Sequence, residues 1–485
     1  MKKTGRDRYP KYKIAAALLT LPVLFACQGC SEDYVNLSNY VNPSDNSLLQ
    51  NLSEEIQYLT GTESSLTGPD VSGNDPGRAE AESEICSDTV SAMGMTRSVR
   101  DVFVSAGSGD ITQISSDELA SLGVKLENSA EEETDEEDAA AHEEMIQRRR
   151  DTDLFRESKY AYGQLGDHER KVYVEIYRAI QGRIPEVKLS SLDVDEIDTC
   201  FNCVMIDNPD FFYTDGYKMT RTLVNGELES ISFSPRYTMT GKEILEKEDY
   251  IDSYVNKFIT GMPDLPNEYS KAKYIFDYLV ENTEYDIETE NNQNICSVFV
   301  DNKSVCQGYA MAAKYLADEL GIFCTIVYGE AGGENHAWNL MRLDGTYCHV
   351  DITWGDTSYK NSSEGTDTAM TDYVYMGASD DLIAENHIVD TVVRIPVCDS
   401  LDSYYFVREG RYFTEDDHEK LHEVFDRAYE DNEETLTIRC ADKDVYDEMD
   451  DYLFDDGRVF RYLKGTGKAR YVRNRDELTI TFLLT

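Results

Sequence analysis

The sequence predicts an α+β protein in several parts, with its chemistry confined to one of them. Three observations carry this expectation. A helix-forming run, Ala310 to Leu320, follows Ser304-Val-Cys306-Gln307, which has the form of a capping box. Two strand-like runs, 335–343 and 346–353, flank Asp344-Gly345, a two-residue hairpin turn. Residues 31–150 hold four aromatics (Tyr34, Tyr40, Tyr58, Phe103) and 26 acids against 7 bases, a net of −19, and so predict a long stretch without a core.

From the N-terminus, residues 1–13 carry six basic side chains and one acid, and Ile14 to Ala26 is an apolar run of 13 residues. That run is too short for a hydrocarbon core, which needs about 20 residues. A basic region before a short apolar one predicts a signal peptide over 1–26. Leu24-Phe25-Ala26-Cys27 resembles a lipobox. The resemblance implies cleavage before Cys27 and a diacylglycerol on it. The mature chain is then expected on the extracellular face of a bacterial membrane, held by lipid, with plain secretion as the alternative. Residues 27–150 read as an acidic disordered tether across the envelope.

Residues 151–262 read as a helical and β-hairpin region. Val172, Ile176, Ala179 and Ile180 fall at helical spacing within 168–183. A second amphipathic helix fits 192–206 and stops near Asn208-Pro209. Alternating runs around Asn225-Gly226 predict a hairpin over 211–237. Helices follow at about 241–260 and 267–282. Residues 263–400 form the expected catalytic domain. Residues 401–485 read as a small α+β module: strand YYFV, helix 415–430, strand TLTIRC, helix 443–453, strand ELTITFLL.

The whole chain of 485 residues carries 46 Lys+Arg against 94 Asp+Glu, a formal charge of −48. Such a surface excludes a general nucleic-acid binder, which needs a basic face to displace phosphate counterions. Both Trp residues, Trp338 and Trp354, fall within the stretches that carry chemistry.

Those stretches are Ser304-Val-Cys306-Gln-Gly-Tyr309, Glu334-Asn-His336-Ala-Trp338-Asn339 and Cys348-His-Val-Asp351-Ile-Thr-Trp354-Gly355. With Ser304 as N-cap, Cys306 is the second helical residue, where free backbone N–H groups and the helix dipole favour a thiolate. Gly321 is a good helix stop. Residues 322–328 read as a buried strand. The Asp344-Gly345 turn sets the register so that 343 faces 346 and Trp338 faces Asp351, which makes His336 and Asp351 diagonal neighbours on one face. A base and the carboxylate that orients it need that placement.

VCQGYAMAAKYLADELGI followed by HAWNLMRLDGTYCHVDITWGD resembles the transglutaminase-like superfamily, in its bacterial secreted transglutaminase/protease-like branch. The strong likeness covers about 267–357, with weaker likeness back to about 160 and forward through Tyr373–His387. It implies a papain-like core, a helix bearing Cys packed on an antiparallel sheet bearing His and Asp. It also implies Cys306 as nucleophile, His336 as base and Asp351 as orienter, with an upstream polar oxyanion donor. Gln293 and Asn294 are both candidates for that donor, and the backbone N–H of Cys306 is a further one. Trp338 and Trp354 either shape an acyl pocket or cap the core. His349 is either a second base or a satisfied polar residue flanking the site.

Other motifs carry less. Cys200-Phe-Asn-Cys203 lacks a second ligand pair and fits a core helix face. His418-Glu-Lys-Leu-His422 has the HExxH form of zinc proteases but no recognisable third ligand, so a solvated helix face is expected. No cofactor is expected. The function expected is cysteine-dependent acyl transfer on protein or peptide substrates through a thioester on Cys306, at peptide bonds or Gln amides. Its alternative is a non-catalytic surface module that binds peptide or glycan in the same cleft.

Overall fold

The computed structural model describes residues 159–289, 292–356, 371–455, 457–464 and 470–484, with the backbone of 86–91 and 103–104. The signal peptide, Cys27 and most of the acidic segment lie outside these residues. The two stretches described within that segment are strands. Cys86–Ser91 pairs antiparallel with Thr214–Val224, and Phe103–Val104 pairs parallel with Ile395–Pro396.

The N-terminal elements follow their sequence signals. Helices Asp167–Gln181 and Val194–Asp207 bury Val172, Ile176, Ala179 and Ile180 against Ile197, Cys200, Cys203 and Val204. Cys200 and Cys203 therefore serve as core side chains. Strands Thr214–Val224 and Glu227–Tyr237 meet at Asn225 and Gly226, both at positive φ (55° and 81°), as the tight hairpin turn requires. Helices Gly241–Gly261 and Glu268–Asn282 are capped by Thr240 and Asn267, whose side chains accept from Glu243 and Ser270 backbone N–H groups. The apolar core is continuous from Ala161 to Phe406, so this region shares its interior with the central sheet.

That sheet has five strands: β1 Cys324–Ala331, β2 Glu334–Leu343, β3 Thr346–Val350, β4 Met376–Ala378 and β5 His387–Val389. Their order is β4-β3-β2-β1-β5, with every neighbour antiparallel. Asp344 and Gly345 have positive φ (53° and 93°), and Leu343 faces Thr346, the expected register. The strand expected over 346–353 stops at Val350. Asp351 instead caps a helical turn, Ile352–Gly355, by accepting the Trp354 N–H at 3.1 Å.

Helix Cys306–Glu319 lies against this sheet. Its alanines at 310, 312, 313 and 317 are buried and allow close approach. Asn339 Nδ2 on β2 donates to the Ala310 carbonyl at 2.9 Å. The helix closes at Gly321 (φ 69°), where the Ile322 N–H reaches back to the Ala317 carbonyl.

The C-terminal module has its own core, from Phe413 to Phe482, under a sheet ordered Tyr412–Phe413, Thr435–Cys440, Thr479–Leu483, Arg470–Asn474. Here YYFV departs from its expected strand. Tyr405–Arg408 is a helical turn, because Tyr404, Tyr405 and Phe406 are all buried and an alternating strand would expose one of them. Tyr405 stacks on Tyr373 at 4.0 Å. Arg439 of the module is buried against the larger core. Its Nη2 donates to Glu385 at 3.4 Å and its guanidinium lies over the Tyr404 ring, while Nε and Nη1 have no partner. No helix among the described residues is long and apolar enough to cross a membrane.

Candidate active site

Cys306 opens its helix as the first helical residue, one place earlier than the capping-box reading expected. Val305, in extended conformation, is the N-cap. Ser304 cannot cap, because its hydroxyl is bound to Ser297 Oγ (2.7 Å) and the Asn292 carbonyl (3.0 Å). The thiol remains in the first turn, beside free backbone N–H groups. Cys306 is partly exposed, whereas the other seven described cysteines are buried, and none of the eight is in a disulfide. Burial pushes several of those thiols up, Cys296 and Cys348 to about 12.

His336 on β2 is buried, and its Nε2 lies 2.7 Å from Asp351 Oδ2. The Cys306 thiol lies close enough to act on its charge. With Nε2 on the carboxylate, Nδ1 is left for the sulfur. Burial by itself would depress the imidazole pKa, but the Asp351 charge and hydrogen bond, with Cys306, push it up to about 10. Burial would raise the Asp351 carboxyl. The charge and hydrogen bond of His336, with a second bond from His387, outweigh it and hold the group well below the usual range. Tyr309 of the Cys306 helix places its hydroxyl 2.8 Å from Asp356 Oδ2, tying that helix to the turn that follows Asp351. The three residues expected to act together thus come together.

The other candidates divide. The Asn292 carbonyl accepts the Val305 N–H at 3.2 Å, which brings the 292–294 segment beside the start of the Cys306 helix. Gln293 is half-buried there, and Asn294 spends its Oδ1 on the Cys296 N–H at 2.9 Å. Trp338 is not an open pocket wall. It is buried, nearly parallel to His336 at 6.0 Å, and its indole N–H donates to His349 Nδ1 at 3.0 Å. Trp354 is half-buried and covers His387 at 4.8 Å.

His349 is a satisfied polar residue rather than a second base. By accepting from Trp338 at Nδ1, it must carry its proton on Nε2, which lies 3.0 Å from Asp380. Burial outweighs the Asp380 bond and lowers its pKa. His349, Asp380 and Cys398 bring metal-ligand atom types within 4.8 Å. The proton on Nε2 removes the lone pair a metal would need there. In HExxH, His418 stacks on Tyr452 (3.6 Å) and His422 packs tilted against Tyr462 (4.3 Å), so both imidazoles serve packing.

Sequence reasoning did not single out His387. Its Nε2 lies 3.0 Å from the same Asp351 Oδ2 that holds His336. Its only sequence signal was its position at the far end of the weaker family likeness.

A half-buried thiol at a helix start, facing an imidazole backed by a buried carboxylate, is the Cys-His-Asp arrangement of a papain-like fold. Residues 254–352 match the family model of the transglutaminase-like superfamily, so this part of the chain is a transglutaminase-like domain. Among solved structures, one described as a TGase shares 16% identity at a TM-score of 0.21, with 33% of this chain and 47% of that chain covered. A candidate cysteine protease from Cytophaga hutchinsonii shares 18% at a TM-score of 0.19, with 29% and 58% covered. The chain spans about half the length of these structures. No curated protein matches it.

Proposed function

We propose that this protein is an extracellular cysteine enzyme that transfers acyl groups from peptide or Gln amides through a thioester on Cys306. The observation that supports this most is the buried His336–Asp351 bond, set beside a partly exposed Cys306 thiol close enough to act on the imidazole. His336 takes the thiol proton, and the thiolate attacks the amide carbonyl. The oxyanion that forms is stabilised by the backbone N–H of Cys306 at its helix start. His336 returns the proton to the leaving nitrogen as the C–N bond breaks. Water then attacks the thioester, giving a proton to His336, and the C–S bond breaks to free the thiol. An amine in place of water would give transamidation.

The test is the pH dependence of Cys306 alkylation by iodoacetamide, followed by peptide-mapped mass spectrometry. Wild-type protein should label Cys306 rapidly at pH 6, well below the ordinary Cys pKa of about 8.5. In His336→Ala the rate at pH 6 should fall about 100-fold, the scale of a lost acid–base partner. Slow labelling in both, with the fold intact, would leave the non-catalytic binding module as the better reading.

The same proposal places the mature chain outside the cytoplasm, anchored through lipid on Cys27. Its support is the leader and the Leu24–Cys27 run. Cys27→Ser should abolish incorporation of labelled palmitate and release the protein from membranes. Retention of label would remove the anchor from the proposal.

A further inference from the structure

Asp351 is shared. Oδ2 faces two imidazoles, His336 Nε2 at 2.7 Å and His387 Nε2 at 3.0 Å, while Oδ1 accepts the Trp354 N–H at 3.1 Å. A buried carboxylate needs its lone pairs met, and three donors here fill most of them. His387 is itself fixed from all sides. It lies on edge strand β5, is 3% exposed, and has its Nδ1 2.7 Å from Asn386 Oδ1. Asn386 Nδ2 in turn bonds the Tyr375 hydroxyl. Trp354, Trp338 and Tyr375 surround the ring at 4.8, 5.1 and 5.2 Å. The titratable groups around it are Asp351, His336 and Tyr375, with His349 across Trp338.

Without His387, Oδ1 would still be held by the Trp354 N–H, but Oδ2 would have His336 as its single donor and a lone pair unmet. His387 meets that lone pair and fixes Oδ2 from a second direction. Its ring is 5.6 Å from that of His336, so it does not occupy the position facing the sulfur. We propose that His387 is a positioning residue, which donates Nε2–H to Asp351 and holds Oδ2 in the orientation that serves His336. The proposal rests on the Cys306–His336 reading above. By sharing the charge of Asp351, His387 also keeps the carboxylate ionised on the acid side, where His336 still depends on it.

The experiment compares the pH–rate profile of Cys306 alkylation by iodoacetamide, from pH 4 to 9, in the full chain and in His387→Phe and His387→Gln. Gln keeps an N–H donor of similar reach, and Phe keeps a ring without one. His387→Phe should lose about 10-fold in rate at pH 6 and shift its acid limb upward, while His387→Gln should stay within about threefold of wild type. A Phe profile that superimposes on wild type overturns the proposal. Equal loss in Phe and Gln also overturns it, since ring packing rather than the donor would then be responsible. If the Phe variant does not fold, Asn386→Ala decides. It keeps His387 but frees Nδ1, and should give a smaller loss with the same acid-limb shift, whereas an unchanged profile overturns the proposal. A wild-type protein that fails to label at pH 6 is a different result, which sinks the proposed function itself.

Discussion

Asp351→Asn should slow any amide turnover by about 10³- to 10⁴-fold, the scale seen when the orienting carboxylate of a catalytic triad becomes an amide, and should slow Cys306 alkylation at neutral pH by about 30-fold, the thiolate fraction left to an unassisted thiol. The reason lies in the donors around it. Oδ2 meets two imidazole N–H groups and Oδ1 meets a backbone N–H. An Asn side chain can offer oxygen to only one side. If its oxygen stays with Trp354, its NH2 faces His336 and forces the proton onto Nδ1, where the imidazole can no longer accept from the thiol. If its oxygen faces His336, the NH2 opposes the Trp354 N–H, and the charge is gone in either case. Labelling should then appear only as an unassisted thiol titrates, near pH 8.5. A rate within threefold of wild type would overturn the role given to Asp351.

The same pair sets a pH window for stability. The raised His336 pKa contributes stability that is full below about 6.5 and is lost as pH rises through about 10. The lowered Asp351 value contributes above about 3.8 and is lost as pH falls below it. Denaturant midpoints for wild type and Asp351→Asn should therefore differ most between about pH 4 and 6.5 and converge towards pH 10. A gap that widens with rising pH would contradict this assignment.

Gly329→Ala should carry a large stability cost. Gly329 on β1 faces His336 in register, and a Cβ there would stand 1.9 Å from the Ile388 carbonyl oxygen and 3.0 Å from Trp338 Cη2. The first obstacle is backbone. It can yield only if β5 moves, and β5 is held to β1 by just three residue pairs. Overpacking of this kind costs about 3 kcal/mol. At 2–4 °C per kcal/mol for a body of this size, the melting temperature should drop roughly 6–12 °C. Because His387 rides on β5, Cys306 labelling at pH 6 should slow as well. A melting temperature within 2 °C of wild type would show that β5 yields without cost.

Much of this site was legible from spacing alone. Asp344-Gly345 fixed the turn, the turn fixed the register, and the register set His336 diagonal to Asp351. What remained hidden depended on competition for a single side chain. Ser304 carries the sequence of an N-cap, but Ser297 and Asn292 take its hydroxyl, and the helix starts one residue off the expected position. Residues 351–353 alternate like a strand, yet Asp351 closes a turn on Trp354. YYFV has strand propensity but buries three successive aromatics. His387 stood outside any pattern because β5 reaches the sheet from across the chain, and nothing local marks which strand joins at the edge. The Trp338–His349 bond was hidden in the same way, since an indole N–H has no sequence signature for its partner.

Arg439 gives the C-terminal module a bearing on the thiol 133 residues upstream in the chain. Its link across the seam between the two cores ends on Glu385, and the next two residues are Asn386 and His387. A buried guanidinium with two unshared nitrogens is a weak glue for such a seam, since each unmet N–H costs what burial elsewhere gains. The module thus reaches the segment that carries the second histidine through a side-chain bond that ends two residues before it.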